Sequence, residues 1–409
     1  MTNLPQGWEV KKLGEIGEIV TGLTPSKNNL DFYGKDYPFF KPSDFKQGYF
    51  LENAVDNLSE LGFEKAKQLP SKTILVVCIG SLGKVALTRV IGSCNQQINA
   101  IIPHKNIIAE FIYYYCISSK FQSILFLKAP QTTLPILNKT EFSKLEIIYP
   151  KDIKEQERIV GILDESFAKI DESIKILEQD LLNLDELMQS ALQKAFNPLK
   201  DNAKENYKLP QGWEWKSLSE IAVTSSGGTP SRNKKEYWEN GTIKWLKSGE
   251  LNDGYISFIE ENITQEAIEN SSAKIFPKGT LLIAMYGATA GKLGILDLYS
   301  ATNQAICAFL HKNNKNIKFF EKFLFYFLFF IRDKIIKDSF GGAQPNISQT
   351  YIKNLQIPLP PLQEQEQIAS HLDELFSHVK NLKQNYQMQI KNLQELKKSL
   401  LDKAFQGRL

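Results

Sequence analysis

One stretch of this sequence occurs twice, and its length limits what the chain can fold into. It runs from Glu155 to Phe196 and returns from Glu364 to Phe405, at a constant offset of 209 residues. In the first copy the apolar residues are spaced alternately four and three apart, which is a heptad seam. At about 1.5 Å per residue such a helix is roughly 63 Å long, too long to be buried inside a compact domain. We therefore predict two long helices, called the rods below, that need a partner.

The nearest partner for each rod is the other rod, and their charges favour this pairing. Residues 151–198 carry 6 Lys and Arg against 11 Asp and Glu, whereas residues 361–409 carry 7 against 6. The second copy departs from the heptad pattern where Lys383 and Lys397 occupy seam positions. An antiparallel pair is favoured, because a parallel pair would require the second domain to cross the whole rod length through a short linker. The alternative is two surface helices that lie separately on two domains.

The rods are part of a larger duplication that includes a whole domain. The segment Leu4–Glu9 returns as Leu209–Glu214, and Thr24–Asn28 returns as Thr229–Asn233. The order of the later landmarks is also repeated: an apolar run with a glycine turn, an Asn-Gln pair, an aromatic helix and a proline-bounded segment. Residues 51–70 and 257–277, in contrast, show almost no similarity. One explanation is that the two copies bind different things in the same manner; the other is neutral drift in loops.

These repeats predict the organisation of the chain. The fold class is α+β, with two homologous mixed α/β domains separated by an antiparallel two-helix coiled coil and related by a pseudo-two-fold internal repeat. Asp152 with Glu155 predicts a capping box where the first rod begins. Buried strands are expected at 74–80 and 281–287, and aromatic helices at 109–126 and 318–336. The predicted boundaries are a first domain at 1–150, a first rod at 151–198, a linker at 199–208, a second domain at 209–360 and a second rod at 361–409.

Composition excludes several classes of protein. The four cysteines have no short-spaced pairs, so neither a disulfide framework nor a cysteine-rich zinc site is indicated. The first residues lack the apolar segment of a secretion signal, and the apolar run Phe319–Ile331 is too short to span a membrane and reads as a buried helix. We therefore expect a cytoplasmic protein without a membrane partner. The net charge of +3 does not by itself indicate nucleic-acid binding.

Motifs that carry catalytic chemistry are weak. The run Tyr286–Lys292 resembles a phosphate-binding loop, but it has three residues between its glycines where four are needed, and Leu293 stands where Ser or Thr binds magnesium. Its twin, Gly80–Lys84, is shorter. We interpret both as glycine turns that present a lysine outward. The four histidines form no set with metal-ligand spacing, and no nucleophile elbow or pair of duplicated carboxylates is seen. The sequence predicts no catalytic residue, metal or cofactor in this chain.

The order of the motifs resembles one known family. Leu-Pro-x-Gly-Trp, Gly-x-Thr-Pro-Ser, a glycine turn with Gly-Lys, Asn-Gln, Gln-Pro-Asn-Ile-Ser and Pro-Leu-Pro-Pro-Leu-x-Glu-Gln together resemble the specificity subunit of type I restriction-modification enzymes. The similarity covers nearly the whole chain and is doubled within it. The first copy departs from it, because 131–138 and 149–156 replace the second copy's 342–348 and 359–365 with different residues.

This resemblance implies a non-catalytic reader of double-stranded DNA. Each globular part would be a target-recognition domain for one half of a bipartite site, and the paired rods would set the unread spacer. Two methyltransferase subunits would dock along the rods, and restriction subunits would join for cleavage. S-adenosylmethionine, ATP and magnesium are expected in those partner subunits.

Candidate contact residues follow from these motifs. We expect hydroxyl and cationic side chains to position DNA phosphates; they are Thr24, Ser26, Lys27, Lys41, Lys84 and Arg89 in the first domain, and Thr229, Ser231, Arg232, Lys247 and Lys292 in the second. The alternative for Thr-Pro-Ser is a turn with local hydrogen bonds. The Asn-Gln pairs are interpreted as structural. The expected partner-docking residues, where the rods begin, are Glu155, Gln156, Glu364 and Gln365.

Two other functions stay open at this point. A structural adaptor that binds proteins would keep the same rods but would show no salt-dependent affinity for duplex DNA. An enzyme acting alone would need a catalytic site that the sequence does not display.

Overall fold

The computed structural model describes residues 4–129, 135–196, 209–312, 318–339 and 346–409. The predicted linker, 199–208, lies outside these residues, as do parts of the compared segments 131–138 and 342–348. The chain divides into two compact units: unit 1 consists of residues 1–178 and 386–409, and unit 2 of residues 179–385.

The first domain and rod contain ten strands and six α-helices in the described residues, and two single-turn 3-10 helices at Leu30–Phe32 and Asp44–Gln47. In chain order these are β1 (Trp8–Lys12), α1 (Leu13–Ile16), β2 (Gly17–Thr21), β3 (Tyr33–Phe40), β4 (Phe50–Leu51), β5 (Asn57–Leu58), α2 (Glu60–Lys65), β6 (Ile74–Val77), β7 (Val85–Thr88), β8 (Ser93–Cys94), β9 (Ile98–Pro103), α3 (Ala109–Ile117), α4 (Ser119–Lys128), α5 (Lys139–Ser143), β10 (Glu146–Pro150) and α6 (Ile153–Phe196).

The second repeat follows the same plan, with 3-10 turns at Lys235–Tyr237, Ser248–Glu250 and Gly287–Thr289. Its elements are β11 (Glu214–Ser217), α7 (Leu218–Ile221), β12 (Ala222–Ser226), β13 (Ile243–Leu246), β14 (Gly254–Ile256), β15 (Asn262–Ile263), α8 (Gln265–Glu269), β16 (Ile275–Phe276), β17 (Leu281–Ala284), β18 (Leu293–Leu296), β19 (Ser300–Thr302), β20 (Ile306–His311), α9 (Glu321–Phe330), α10 (Arg332–Lys337), α11 (Gln349–Asn354), β21 (Gln356–Leu359) and α12 (Leu362–Ala404).

Each domain is built on a five-stranded sheet with the same topology. The strand order is β2-β9-β6-β7-β4 in unit 1 and β12-β20-β17-β18-β14 in unit 2. A second small sheet, β5-β3-β8 or β15-β13-β19-β16, lies beside it, and a two-stranded pair, β1-β10 or β11-β21, joins the two ends of each domain. This repeated α+β architecture confirms the predicted fold class.

The central strands are as apolar as the sequence suggested, but shorter. All four residues of β6 and of β17 are buried. Each strand ends before the glycine turn that the prediction had included. The aromatic helices are also interrupted, which corrects the predictions of single helices at 109–126 and 318–336. Ser118 adopts an extended conformation, and its hydroxyl accepts a hydrogen bond from the Phe121 amide at 3.4 Å. This side chain caps α4, because it supplies an acceptor to a free N–H in the first turn.

In unit 1 the two rod segments run antiparallel. Lys397 pairs with Asp171, and further along Arg158 donates to the Leu409 carbonyl at 2.9 Å. One residue number rises as the other falls, which defines the direction. The ammonium of Lys397 also lies 4.7 Å from the centroid of the Phe167 ring. The seam lysine that interrupted the heptad pattern is therefore matched by an aspartate on the facing helix.

Unit 2 contains its own antiparallel segment of the two rods. Lys383 pairs with Asp185, and residues 187–195 and 367–375 line the two sides of one groove. Lys383 and Lys397 thus have the same explanation. In each case an ion pair replaces an apolar contact and favours one register, as polar seam residues do in coiled coils.

The last turn of each rod completes the helical core of the domain in its unit. In unit 1 the Phe405 ring lies 5.4 Å from that of Phe111 and 5.1 Å from that of Tyr115. In unit 2 Phe196 packs in the same way, 5.3 Å from Phe323 and 5.7 Å from Phe327. The core of each domain therefore includes residues from both repeats, and neither half of the sequence supplies a complete core.

Candidate nucleic-acid interface

The repeated motifs meet at one edge of each five-stranded sheet. In unit 1 antiparallel pairing places Thr21 opposite Asn99 and Val77 opposite Ile98. The end of β2, the end of β6 and the start of β9 therefore share an edge. Thr24, Lys84 and Gln96 follow or precede these strands and belong to this edge, which we call the motif edge. In unit 2 the corresponding residues are Thr229, Lys292 and Gln304.

The Thr-Pro-Ser and Asn-Gln motifs are tied together by a hydrogen bond. The Thr24 hydroxyl donates to the amide oxygen of Gln96 at 2.5 Å, and Thr229 donates to Gln304 in the same way. A close backbone approach accompanies this bond: a Cβ at Gly22 would lie 2.1 Å from the carbonyl oxygen of Asn95. These threonines therefore hold two loops together, and each retains only acceptor capacity for other contacts. Both loops bend back at Ser26 and Ser231, whose carbonyls accept amide bonds three residues on.

Each glycine turn joins the two strands of a hairpin, β6 and β7 in unit 1 and β17 and β18 in unit 2. Gly83 and Gly291 have φ angles of 87° and 80°, a region that favours glycine. Beyond each turn the carbonyl of Lys84 or Lys292 accepts the bond that closes the hairpin, at 2.9 Å and 2.8 Å. A strand follows the turn where a phosphate-binding loop would continue into a helix, so the helix N-terminus that binds phosphate in such loops is missing from both described hairpins. Lys84 and Lys292 are exposed, as expected.

Lys41 and Lys247 occupy equivalent positions and each pairs with a carboxylate. Lys41 pairs with Asp56, and Lys247 with Glu261 at 2.7 Å. Burial and the neighbouring charge of Lys27 lower the pKa of Lys41. The hydrogen bond that Lys247 donates to Glu261 instead raises the pKa of Lys247. The same position therefore has a different electrostatic environment in each unit.

Arg232 lies within a cluster of aromatic and acidic side chains in unit 2. Its guanidinium carbon is 3.6 Å from the centroid of the Trp238 ring and 4.9 Å from that of Trp245. Its Nη2 lies 2.7 Å from Glu261 Oε2. Burial would raise the pKa of Glu261, but the hydrogen bond from Lys247 and the positive charge of Arg232 outweigh it and leave that pKa lowered. The carboxylate therefore stays ionised between two cations.

Arg89 is not at the motif edge. Strand β7 begins directly after Lys84 and ends directly before Arg89. The length of the strand therefore separates the two side chains. Its guanidinium stacks 3.6 Å from the centroid of the Phe50 ring and pairs with Glu52 at 2.9 Å. The sequence prediction grouped Arg89 with the other basic residues, and the strand register places it at the opposite edge instead.

The two glutamines predicted to dock partners are buried, which corrects that prediction. Gln156 is fully covered, accepts the Ile108 amide at 2.9 Å and donates to the Pro150 carbonyl at 3.0 Å. Gln365 does the same with Phe320 and Pro360. These amides join a domain loop to the first turn of each rod, so a partner subunit has no access to them.

The two predicted docking carboxylates are at the surface. Glu155 binds Arg158 through two hydrogen bonds of 2.7 Å and 2.8 Å, and these bonds lower its pKa despite some burial. The expected capping box between Asp152 and Glu155 is thus not formed. The Asp152 carboxylate accepts a hydrogen bond from the Lys154 amide at 3.0 Å, and the Glu155 carboxylate is bound by Arg158 instead. Glu364 accepts the indole N–H of Trp213 at 3.0 Å.

The described residues offer little catalytic chemistry. No group of three or more His, Cys, Asp and Glu side chains among them is placed to hold a metal ion. The four thiols are buried, and burial raises the pKa of Cys78, Cys94 and Cys307 to about 12. A thiol in that state is protonated at neutral pH and a poor nucleophile. None of the helices described is both long and apolar enough to cross a membrane.

Sequence reasoning missed the residues that surround Arg232. Trp238, Trp245 and Glu261 were not singled out, and neither was Asp56 in unit 1. A signal was present: an aromatic residue occurs at both 33 and 238, and an acidic one at both 56 and 261, at the same offset as the Thr-Pro-Ser motifs. Comparing the two repeats position by position inside the divergent stretch would have found the acidic pair.

Comparisons with known proteins agree with this architecture. The family described as "Type I restriction modification DNA specificity domain" matches residues 5–181 and again 210–392. The MjaIX specificity subunit of a type I restriction enzyme from Methanocaldococcus jannaschii is 25% identical over 421 aligned residues, covering 99% of this chain and 94% of its own. The HindI specificity subunit from Haemophilus influenzae is 38% identical over 186 residues, which cover 44% of this chain and 40% of that protein.

Two solved structures share the fold. The HsdS subunit from Thermoanaerobacter tengcongensis superposes with a TM-score of 0.64 at 22% identity, covering all of this chain and 98% of the other. A chain from a structure on complex assembly and conformational transition of the type I R-M system gives a TM-score of 0.79 at 22% identity, with both chains fully covered. Because the family matches both repeats and a relative aligns over nearly the whole length, this chain belongs to the family of type I restriction-modification DNA specificity subunits.

Proposed function

We propose that each motif edge binds one half of a bipartite double-stranded DNA site. The observation that carries this proposal is the doubled edge itself. Both units bring the same tied loops and an exposed turn lysine, Lys84 or Lys292, to one edge of a sheet. The residues around these shared groups differ between the units. Phosphate contacts from shared lysines would set the position on the duplex, and the differing side chains would read different bases.

In this proposal Lys27, Lys41 and Lys247 add to the positive charge at the two edges, and Ser26 and Ser231 contribute hydroxyls. Thr24 and Thr229 act by fixing the loops, because their hydroxyl protons are already donated to Gln96 and Gln304. Arg89, at the other edge of its sheet, would contact DNA only if the duplex extended beyond the motif edge. We also propose the domain boundaries predicted from the sequence. The rods themselves are observed at Ile153–Phe196 and Leu362–Ala404.

The chain itself is a non-catalytic specificity subunit, so methyl transfer and cleavage would belong to partner subunits. We propose that two methyltransferase subunits dock along the rods, near Glu155 and Glu364, and that restriction subunits join them in the cytoplasm. S-adenosylmethionine, ATP and magnesium would be bound by those partners. Support comes from the unequal charge of the two rods and from apolar side chains that remain exposed on them, including Ile176, Leu182 and Leu187.

The rods are proposed to set the length of the unread spacer between the two half-sites. A rod of 44 residues is about 66 Å long at about 1.5 Å per residue, close to two turns of DNA at about 34 Å each. Two readers separated by such a spacer would reach two major-groove segments of one duplex.

An insertion tests this directly. Four residues added to both rods at facing positions would lengthen them by about 6 Å, nearly two base pairs at about 3.4 Å of rise. We expect the spacer to grow by one or two base pairs while both half-sites keep their sequences. Mapping methylated sites across the genome of cells that carry the variant with its partner subunits measures this. A spacer of unchanged length in an active variant would contradict the role of the rods.

A further inference from the structure

The loop that carries Arg232 is held by hydrogen bonds from two tryptophans. The indole N–H of Trp245 donates to the carbonyl of Gly228 at 3.0 Å, and that of Trp238 donates to the carbonyl of Ser231 at 3.0 Å. The two rings meet edge to face, with centroids 5.0 Å apart, and Trp245 is in the core. Both ends of the short loop before Arg232 are therefore anchored to rigid side chains.

The guanidinium group of Arg232 is fixed as well as its backbone. One face of its plane lies on Trp238, and Nη2 binds one oxygen of Glu261 while Lys247 binds the other oxygen. An arginine usually loses conformational freedom when it binds a ligand, and here stacking and pairing have already removed much of that freedom. The side chain remains 52% exposed, so the remaining N–H groups are accessible.

This arrangement suits a base better than a phosphate. A phosphate contact needs only a positive charge, whereas the guanidinium of Arg232 is also oriented by Trp238 and Glu261. Reading guanine requires two parallel N–H groups held in one plane, facing O6 and N7 in the major groove. The equivalent residue in unit 1 is Lys27, which is exposed and has no carboxylate at ion-pair distance in the part of the chain that is described. An exposed ammonium of that kind suits a phosphate.

We propose that Arg232 reads a guanine in the half-site bound by the second domain, with Trp238 and Glu261 as positioning residues. This inference rests on the proposed function and adds the identity of one reader and one base. The ligand it names is a G·C pair with guanine on the strand that faces the motif edge of unit 2.

The test maps methylated sequences in cells that carry the full chain with its methyltransferase subunits. The wild-type site is expected to contain a required guanine in one half-site. Arg232→Ala should make that single position degenerate, with discrimination falling about 5- to 150-fold, as expected for a lost bidentate contact. The other half-site should not change. Lys27→Ala is the matched control in unit 1, and it should lower methylation at all sites equally.

Glu261→Gln tests the positioning role and serves as a second variant if Arg232→Ala is poorly folded. It keeps the side-chain shape but removes the charge that holds Arg232, so partial degeneracy at the same position is expected. A merely structural role would lower overall methylation without changing the base preference. Thermal denaturation of both variants identifies any loss of folding.

Two results would overturn the inference. One is a uniform loss of methylation in Arg232→Ala with the recognised sequence unchanged, together with a weaker salt dependence of DNA binding. Measured on a duplex that carries the mapped site, that salt dependence would fall by about one ion. These two results together mark a phosphate contact. The other is a mapped wild-type sequence in which neither half-site requires a guanine. If the wild-type complex instead methylates no bipartite sequence at all, the proposed function fails, and this inference fails with it.

Discussion

The Thr-Pro-Ser loops of the two units share a main-chain turn and a threonine–glutamine bond but have different surroundings. In unit 1 the Tyr33 hydroxyl donates to the Pro25 carbonyl at 2.8 Å, and Lys27 follows the loop. In unit 2 Trp238 donates to Ser231, and Arg232 stacks on its ring. The first loop carries an exposed lysine, and the second carries an arginine that is stacked and ion-paired. The shared frame is set by the main-chain turns at Ser26 and Ser231 and by the threonine–glutamine bonds, whereas the chemistry presented at the edge depends on a few aromatic substitutions beside it.

The divergent stretches 51–70 and 257–277 extend this comparison. Ser59 caps α2 through the Gly62 amide at 3.1 Å, and Thr264 caps α8 through the Ala267 amide at 3.3 Å. Stretches without recognisable similarity therefore share one local structure, because an N-cap needs only a hydroxyl or carboxylate at one position. Sequence similarity had suggested that these regions differ more than they do.

The largest expected effect tests what the two edges share. Gly22→Ala and Gly227→Ala would each place a Cβ 2.1 Å from a backbone carbonyl oxygen, which neither loop can relieve without moving. We expect each to lower the free energy of unfolding by about 3 kcal/mol or more. Urea denaturation measures it. Gly161→Ala is the control, since a Cβ there meets open space within α6, and it should stabilise by about 1 kcal/mol. Unequal losses in the two units would show that the frames are not equivalent.

A smaller effect separates the two anchoring systems. Trp245→Phe removes the donor to the buried Gly228 carbonyl and some core volume, so we expect a loss of roughly 2 kcal/mol in unfolding free energy. Tyr33→Phe in unit 1 removes only the hydroxyl bond to Pro25, and about 1 kcal/mol should be lost. The same denaturation experiment compares them. Equal losses of unfolding free energy would mean that Trp245 stabilises its loop no more than Tyr33 stabilises the loop of unit 1.

The smallest effect concerns the paired lysines and their titration. The pKa of Lys247 is raised by its hydrogen bond to Glu261, whereas burial and Lys27 lower that of Lys41. By NMR of the lysine side chains we expect midpoints on opposite sides of the ordinary value of about 10.4. Lys27→Gln should raise the Lys41 midpoint, and it should leave that of Lys247 unchanged.

The stability consequences of these two shifts have opposite signs. The pairing of Lys247 stabilises the fold fully below its unfolded pKa, and this contribution is lost as the pH rises through the higher folded pKa. For Lys41 the charged form is disfavoured in the fold, so stability increases as the pH rises from the lowered folded pKa towards the unfolded one. Midpoints displaced in the same direction would remove this distinction between the edges.

The rods show how far periodicity alone could reach. The heptad seam predicted both helices, which are observed at Ile153–Phe196 and Leu362–Ala404, and the ion-pair partners explain its two lysines. Gln156 and Gln365 show where this reasoning ended. A polar residue at the start of a helix looks like surface, and only the packing of a domain loop against it reveals that its amide is buried and satisfied.

The site divides in the same way. The doubled motifs marked Thr24, Lys84, Lys247 and their counterparts, and the glycine-turn prediction had Lys84 and Lys292 pointing outward. That Thr24 meets Gln96, and that Arg89 lies at the other edge, depends on strand register between distant segments. Such register is set by cross-strand packing, which a pattern within one segment does not contain.

By itself the sequence determined the duplication, the rods and the order of strands and turns, because repeats and periodic burial are properties of neighbouring residues. Only the tertiary structure decided which loops share an edge, which rod end completes which core, and which arginine is held in place. Those outcomes depend on contacts between residues far apart in the chain, such as Arg232 with Glu261 and Phe111 with Phe405. The energy of such contacts exists only once the backbone has brought the residues together.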